Sequence, residues 1–220
     1  MANVITVSRV LILFGAVGLI GRGEWRYSLA ASGLILLVIL LDWADGYVAR
    51  IPKATTAVGA VMDILADRIV ENVLWIVFAF AGVVPLWVPL VVLVRGLVTD
   101  AVRSIALRSG KTAFGPRTMM VSWIGRALVS SKTSRALYAA MKAITFGYLA
   151  LFLALIQAFH VGTEPAWATS RLPFLAALAR VLTGVTVSLC VIRGVPVLIE
   201  GWRLVRAGNT SGGDGGSPAA

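Results

Sequence analysis

Charge, cysteine and histidine are all scarce in this chain of 220 residues, and each shortage excludes something. Only 14% of residues are charged, against about a quarter in soluble globular domains, while 59% are hydrophobic and the mean hydropathy is +0.90. That balance argues against a soluble domain and for an all-α integral membrane protein. The single cysteine, Cys190, forbids an intrachain disulfide and a thiolate metal cluster. The single histidine, His160, removes most Ser–His–Asp triads and most His-based metal sites. Acids are also few, 10 against 20 Lys and Arg, for a net charge of +10. In a soluble chain that excess would suggest nucleic acid. Here the basic residues flank apolar runs, which points instead to membrane lipid headgroups and phosphate-bearing substrates, with no nucleic-acid partner. No cleavable signal peptide is expected, because the apolar stretch after Arg9 lacks a small-residue cleavage site and reads as a retained first helix.

A helix needs about 20 apolar residues to cross the hydrocarbon of a bilayer. Six stretches qualify as transmembrane helices, at about 4–20, 27–50, 58–80, 85–108, 134–161 and 174–204. The short links at 21–26 and 81–84 make antiparallel hairpins of the helices they join. Arg108, Lys111, Arg117, Arg126 and Lys132 lie in the link between the fourth and fifth helices, with no acid among them. Arg9, Arg50, Lys53, Arg203 and Arg206 fall on the same side, so the positive-inside rule places both termini in the cytoplasm. The expected layout is one membrane domain over 1–207 and a disordered Gly/Ser-rich tail over 208–220. Near 118–130, Met119, Met120, Trp123, Ile124 and Leu128 alternate with Ser122 and Arg126, as in an interfacial helix or a partly ordered loop.

Against this apolar background, four of the six aspartates fall between Asp42 and Asp67. Residues three or four apart share a helix face, so Asp42 and Asp45 share one at the end of the second helix, and Asp63 and Asp67 share one early in the third. The segment "IPKATTAV" between them suits a turn, which brings the two polar patches to similar depth. Four carboxylates converging at a membrane boundary repel one another and are costly to desolvate, so protons or metal ions must neutralise them. All-oxygen ligands favour a hard cation, Mg²⁺ or Mn²⁺, and four carboxylates suffice for a pair of such ions, the arrangement that clamps phosphoryl groups. The plainer alternative is that the acids pair with Arg50, Arg68 and Lys53, or are solvated at a helix end. Gly46, Ala49 and Gly59 leave space for close approach, and Arg50 has the fork to grip a phosphate.

Asp42, Asp45, Gly46, Ala49, Arg50, Gly59, Asp63 and Asp67 fit D-x2-D-G-x2-A-R-x8-G-x3-D-x3-D at every fixed position. This resembles the signature of the CDP-alcohol phosphotransferase family, and six helices with the motif across the second and third also resemble that family's layout. The resemblance implies a homodimeric enzyme of the plasma (inner) membrane with its site facing the cytoplasm. It would move a phosphatidyl group from CDP-diacylglycerol to an acceptor hydroxyl and release CMP. By similarity, Asp42, Asp45 and Asp63 would hold two Mg²⁺ or Mn²⁺ ions, and Asp67 would combine metal binding with catalysis as general base. Gly46, Ala49 and Gly59 would make room for the CDP donor, and Arg50 would contact its nucleotide.

A basic pocket of Arg103, Lys142 and Arg193 would suit an acceptor that already bears phosphate, a phosphorylated polyol such as glycerol 3-phosphate or inositol phosphate. The stretches "NVITVSR" and "VSWIGR" resemble parts of phosphatidylglycerophosphate synthases, which favours glycerol 3-phosphate, although "ALVSSKTSRALYAAMK" departs from the lysine-rich continuation expected there. Asp100 is expected to pair with Arg103 or Arg95, and Glu71, on the Asp63–Asp67 face, to pair structurally as well. "SGKTAFG" is no P-loop, since Ile105 stands where the first glycine belongs and no strand precedes it. The rival from another class is a divalent-cation or proton-coupled transporter, which would spread its acids across the bilayer rather than gather them at one face.

Overall fold

The structure is a computed structural model and describes residues 2–48, 57–108 and 122–210. Among these residues there is no strand. The elements are α1 (Ala2–Ile20), α2 (Trp25–Val48), α3 (Ala57–Phe80), α4 (Trp87–Arg108), the short α5 (Trp123–Gly125) running into a π-helical turn (Arg126–Ser130), α6 (Lys132–Val161) and α7 (Ala166–Thr210). A long helix stands at each of the six stretches expected from hydropathy. Three segments, Trp25–Asp42, Thr133–Val161 and Ala166–Arg203, are long and apolar enough to cross a membrane, and Ile5–Ile20 forms a shorter apolar helix.

One boundary moves substantially. α7 begins at Ala166 rather than near 174 and runs through Pro173. An interior proline costs a helix about 3 kcal/mol. Leaving backbone groups unpaired at membrane depth costs several kcal/mol for each group, which favours carrying the helix past the proline. α7 also runs to Thr210, and the rest of the Gly/Ser-rich tail lies outside the described residues. In the basic link, helix is seen over 123–130, whereas 109–121, with Met119 and Met120, lies outside the described residues.

Helix ends explain the tight links. Gly82 and Gly162 have φ of +73° and +68°, the left-handed region where a side chain is strained. Beyond them, Val83 N–H donates to Phe78 O at 2.9 Å and Thr163 N–H to Ala158 O at 3.0 Å. These six-to-one bonds are Schellman closures, which satisfy the last carbonyls of α3 and α6 and turn the chain sharply.

Two compact units make up the chain, Met1–Leu90 with Met141–Thr186, and Val91–Ala140 with Val187–Ala220. In the first unit α1 packs on α2 and α3. Buried residues recur at helical spacing: Arg9, Leu13, Ala16 and Ile20 on α1, Ser28, Ala31, Ile35 and Val38 on α2, and Ala66, Val70, Leu74 and Phe78 on α3. Ala16, Ala31 and Ala66 are small enough for backbones to approach, the usual means of packing where lipid supplies no hydrophobic drive. Trp75 meets Phe146 of α6 edge to face, with centroids 5.0 Å apart. Thr145 and Thr186 share a buried hydrogen bond at 2.7 Å, joining α6 to α7.

In the second unit Ala106, Val129 and Val197 form a buried cluster, with Val102 and Leu128 against it. A Cβ at Gly201 would run into the side chain of Val102, so glycine is what lets α4 and α7 touch there. The outward faces carry many large apolar side chains: Leu11, Leu40, Ile64, Leu97 and Phe80 are all exposed. Water would penalise so much bare apolar surface, and a lipid solvent does not.

Candidate active site

The site is built where α2 ends and α3 begins. Asp42 sits in the last two turns of α2, and Asp63 and Asp67 lie one turn apart on α3. One carboxylate oxygen from each of the three lies within 4.8 Å of the others. The three side chains are each about half exposed, at 48%, 52% and 48%, so an ion or ligand has access to them. Three hard oxygen donors, converging and reachable, fit Mg²⁺ or Mn²⁺ better than a soft metal. Asp45 and Gly46 are in the helical part of α2 but their side-chain surroundings are outside what the structure describes, and Ala49, Arg50 and Lys53 are outside the described residues. Gly59 lies in the first turn of α3.

The neutralising charge is one that the spacing argument did not assign. Arg9, buried in α1 at 1% exposure, reaches all three aspartates. Its Nη2 is 2.7 Å from Asp42 Oδ1 and 2.9 Å from Asp67 Oδ1, and its Nη1 is 3.5 Å from Asp63 Oδ1. Protons and metal ions are therefore not the only means of balancing these carboxylates, since a guanidinium already does so in part. Arg68, the alternative partner on α3, lies 3.9 Å from Glu71. The signal for Arg9 was present: a permanently charged residue inside an apolar helix is functional by default. Counting it toward the positive-inside balance concealed that.

Glu71, one turn beyond Asp67, is buried and takes a hydrogen bond from Lys142 Nζ of α6 at 3.2 Å. The structural pairing expected for Glu71 is thus present, and its partner is one of the three basic residues considered for the acceptor. The other two belong to the second unit. Arg103 pairs with Asp100 on its own helix at 3.4 Å, as expected for Asp100. Arg193 is buried, donates to Leu128 O at 2.8 Å and to Ser134 Oγ, and stacks its guanidinium 5.6 Å from the Tyr138 ring centre. Glu200 was also missed: it is buried in α7 and accepts from both the N–H and the hydroxyl of Ser122, the N-cap of α5. It anchors the start of the helical turn that follows the basic link.

Sequence comparisons agree with this chemistry. The family described as CDP-alcohol phosphatidyltransferase matches residues 1–192. A CDP-diacylglycerol--glycerol-3-phosphate 3-phosphatidyltransferase of Pseudomonas fluorescens is 33% identical over 118 residues, 52% of this chain and 60% of that one. A protein of the same name from Bacillus subtilis (strain 168) is 26% identical over 137 residues, 62% of this chain and 71% of that one. A provisionally named cardiolipin synthase of Mycobacterium tuberculosis (strain ATCC 25618 / H37Rv) is 31% identical over 97 residues, 43% of this chain and 44% of that one. The match to the mycobacterial relative therefore spans less than half of its length.

Proposed function

Because the chain belongs to the CDP-alcohol phosphatidyltransferase family, we propose that it transfers a phosphatidyl group from CDP-diacylglycerol to the hydroxyl of a phosphorylated polyol. Glycerol 3-phosphate is the favoured acceptor, and CMP is released. The observation that carries this reading is the convergence of Asp42, Asp63 and Asp67 from two helices, with ligand oxygens within 4.8 Å. Asp42, Asp45, Asp63 and Asp67 would hold two Mg²⁺ or Mn²⁺ ions. Bound there, the ions would neutralise the diphosphate and stabilise the departing CMP.

The chain's own residues do the rest. Asp67 takes the proton of the acceptor hydroxyl as its oxygen attacks the lipid-bearing phosphorus, and the bond from that phosphorus to CMP breaks. Gly46, Ala49 and Gly59 leave room for the cytidine end of the donor, and Arg50 binds its phosphate. Lys142 is held by Glu71 in the same unit as the aspartates, which suits it to bind the acceptor's phosphate, with Arg103 and Arg193 as further basic groups. Inositol phosphate is the nearest alternative acceptor.

Six helices crossing the plasma membrane, both termini in the cytoplasm and the site facing it, complete the reading, with a homodimer as the assembly. Basic residues gathered on one side and apolar outward faces support that placement. The membrane domain is read as 1–207, with the turn at 123–130 lying in the interface. A second reading, cardiolipin formation, is supported by the name of the mycobacterial relatives and would need a lipid-borne hydroxyl as acceptor.

The test is CMP release by the purified protein in detergent with CDP-diacylglycerol and Mn²⁺ or Mg²⁺, across glycerol 3-phosphate, inositol phosphate and phosphatidylglycerol. Turnover with glycerol 3-phosphate, abolished by EDTA and restored by added ion, is the expected result. Turnover with phosphatidylglycerol alone would move the assignment to the second reading. Silence with every acceptor, alongside cation flux in vesicles, would replace the enzyme by a transporter.

A further inference from the structure

The position of Arg9 goes beyond the transferase reading. We propose that Arg9 is a built-in counter-ion, a positioning residue that holds Asp42, Asp63 and Asp67 together without a divalent cation and competes with the cation that binds there. This deepens the reading that these aspartates are metal ligands, and rests on it.

Two observations support the proposal. First, Arg9 is 1% exposed while the carboxylates it meets are about half exposed, so it approaches from the protein side and leaves the outer side to an incoming ion. Second, its Nη2 is shared between Asp42 Oδ1 and Asp67 Oδ1, and its Nη1 reaches Asp63 Oδ1, so one planar group bridges α2 and α3. Without it, three like charges drawn from two helices would push those helices apart. Both terminal nitrogens of Arg9 are thus engaged by the carboxylates themselves.

The charge count gives the direction. Three carboxylates and one guanidinium leave this group at −2, and without Arg9 it stands at −3. An arginine does not deprotonate in proteins, so the guanidinium of Arg9 weakens the pull of the carboxylates on an incoming cation at any working pH. Removing it raises affinity for a divalent ion and, with no ion present, leaves the three aspartates repelling one another.

The test uses the full chain in detergent as wild type, Arg9→Gln and Arg9→Lys. Thermal unfolding is followed in EDTA and in graded Mn²⁺, and Mn²⁺ binding is read directly by electron paramagnetic resonance. In EDTA, Arg9→Gln should unfold at a lower temperature than wild type, and it should bind Mn²⁺ about tenfold tighter, the low end of what one unit charge contributes at ~4 Å in a half-solvated site. Arg9→Lys keeps the charge but lacks the fork that spans three carboxylates, so it should fall between the two in both measurements. It also carries the test if Arg9→Gln does not fold. Mn²⁺ affinity unchanged from wild type in both variants, or EDTA unfolding unchanged in both, would overturn the counter-ion role while leaving the metal site standing. No Mn²⁺ binding by the wild type would remove the metal reading and this proposal with it.

Discussion

Replacing Glu71 by Gln tests whether one buried carboxylate keeps Lys142 beside the aspartates. The separation is 3.2 Å, with Glu71 only 6% exposed and Lys142 23% exposed at the side chain. At that distance the pair is worth ~1 kcal/mol in bulk water and ~5 kcal/mol at an effective dielectric of about 20. The partial exposure of Lys142 puts the pair toward the lower part of that range, ~2 kcal/mol. Arg68, 3.9 Å from the same oxygen, shares the carboxylate, so Glu71→Gln should cost more than Lys142→Met. We expect losses of ~2–3 kcal/mol and ~1 kcal/mol respectively, because the glutamine leaves two cations with a neutral partner and the methionine leaves Glu71 its arginine. The double variant should show a coupling of ~1–2 kcal/mol. Unfolding in mixed micelles, followed by circular dichroism as the denaturing detergent is raised, provides all corners of the cycle. A coupling below ~0.3 kcal/mol would refute the pair as a stabilising contact, since independent sites add to within that margin.

Two further outcomes follow from the same geometry. Asp67→Asn keeps an oxygen for Arg9 but removes the base, so turnover should fall by ~100-fold or more while the unfolding midpoint stays near wild type. CMP release close to the wild-type rate would take the general-base role from Asp67. Gly162→Ala places a Cβ at φ +68° with nothing within 4 Å to meet it, so only backbone strain opposes it. A loss of ~1–2 kcal/mol in the same micelle assay is expected, and an unchanged midpoint would mean that the α6 closure does not need the left-handed turn.

The buried groups of the second unit show how a membrane protein handles polar atoms at depth. Arg193 and Glu200 lie within the apolar α7, and each is drawn to the stretch at 122–134 that leads into α6, Arg193 to Leu128 and Ser134 and Glu200 to Ser122. Such groups are costly in lipid unless paired, so they tie down the segment that supplies their partners. The sequence marked Arg193 as a candidate because it interrupts an apolar run. Glu200 interrupts the same run and was given no role from the sequence.

Hydropathy and the spacing of the aspartates were sufficient for the helical class, for the positions of the long helices and for the shared face of Asp63 and Asp67 on α3. All of these are set by local rules: the rise of a helix and the 3.6-residue turn. The start of α7 at Ala166 escaped because proline is a strong local stop signal that a long membrane helix overrides. The Arg9 bridge to Asp42, Asp63 and Asp67 belongs wholly to the tertiary structure. Those residues lie 33, 54 and 58 positions from Arg9, and whether its guanidinium meets them depends on how α1 is rotated against α2 and α3. Side-chain packing sets that rotation, and no local pattern in the sequence encodes it.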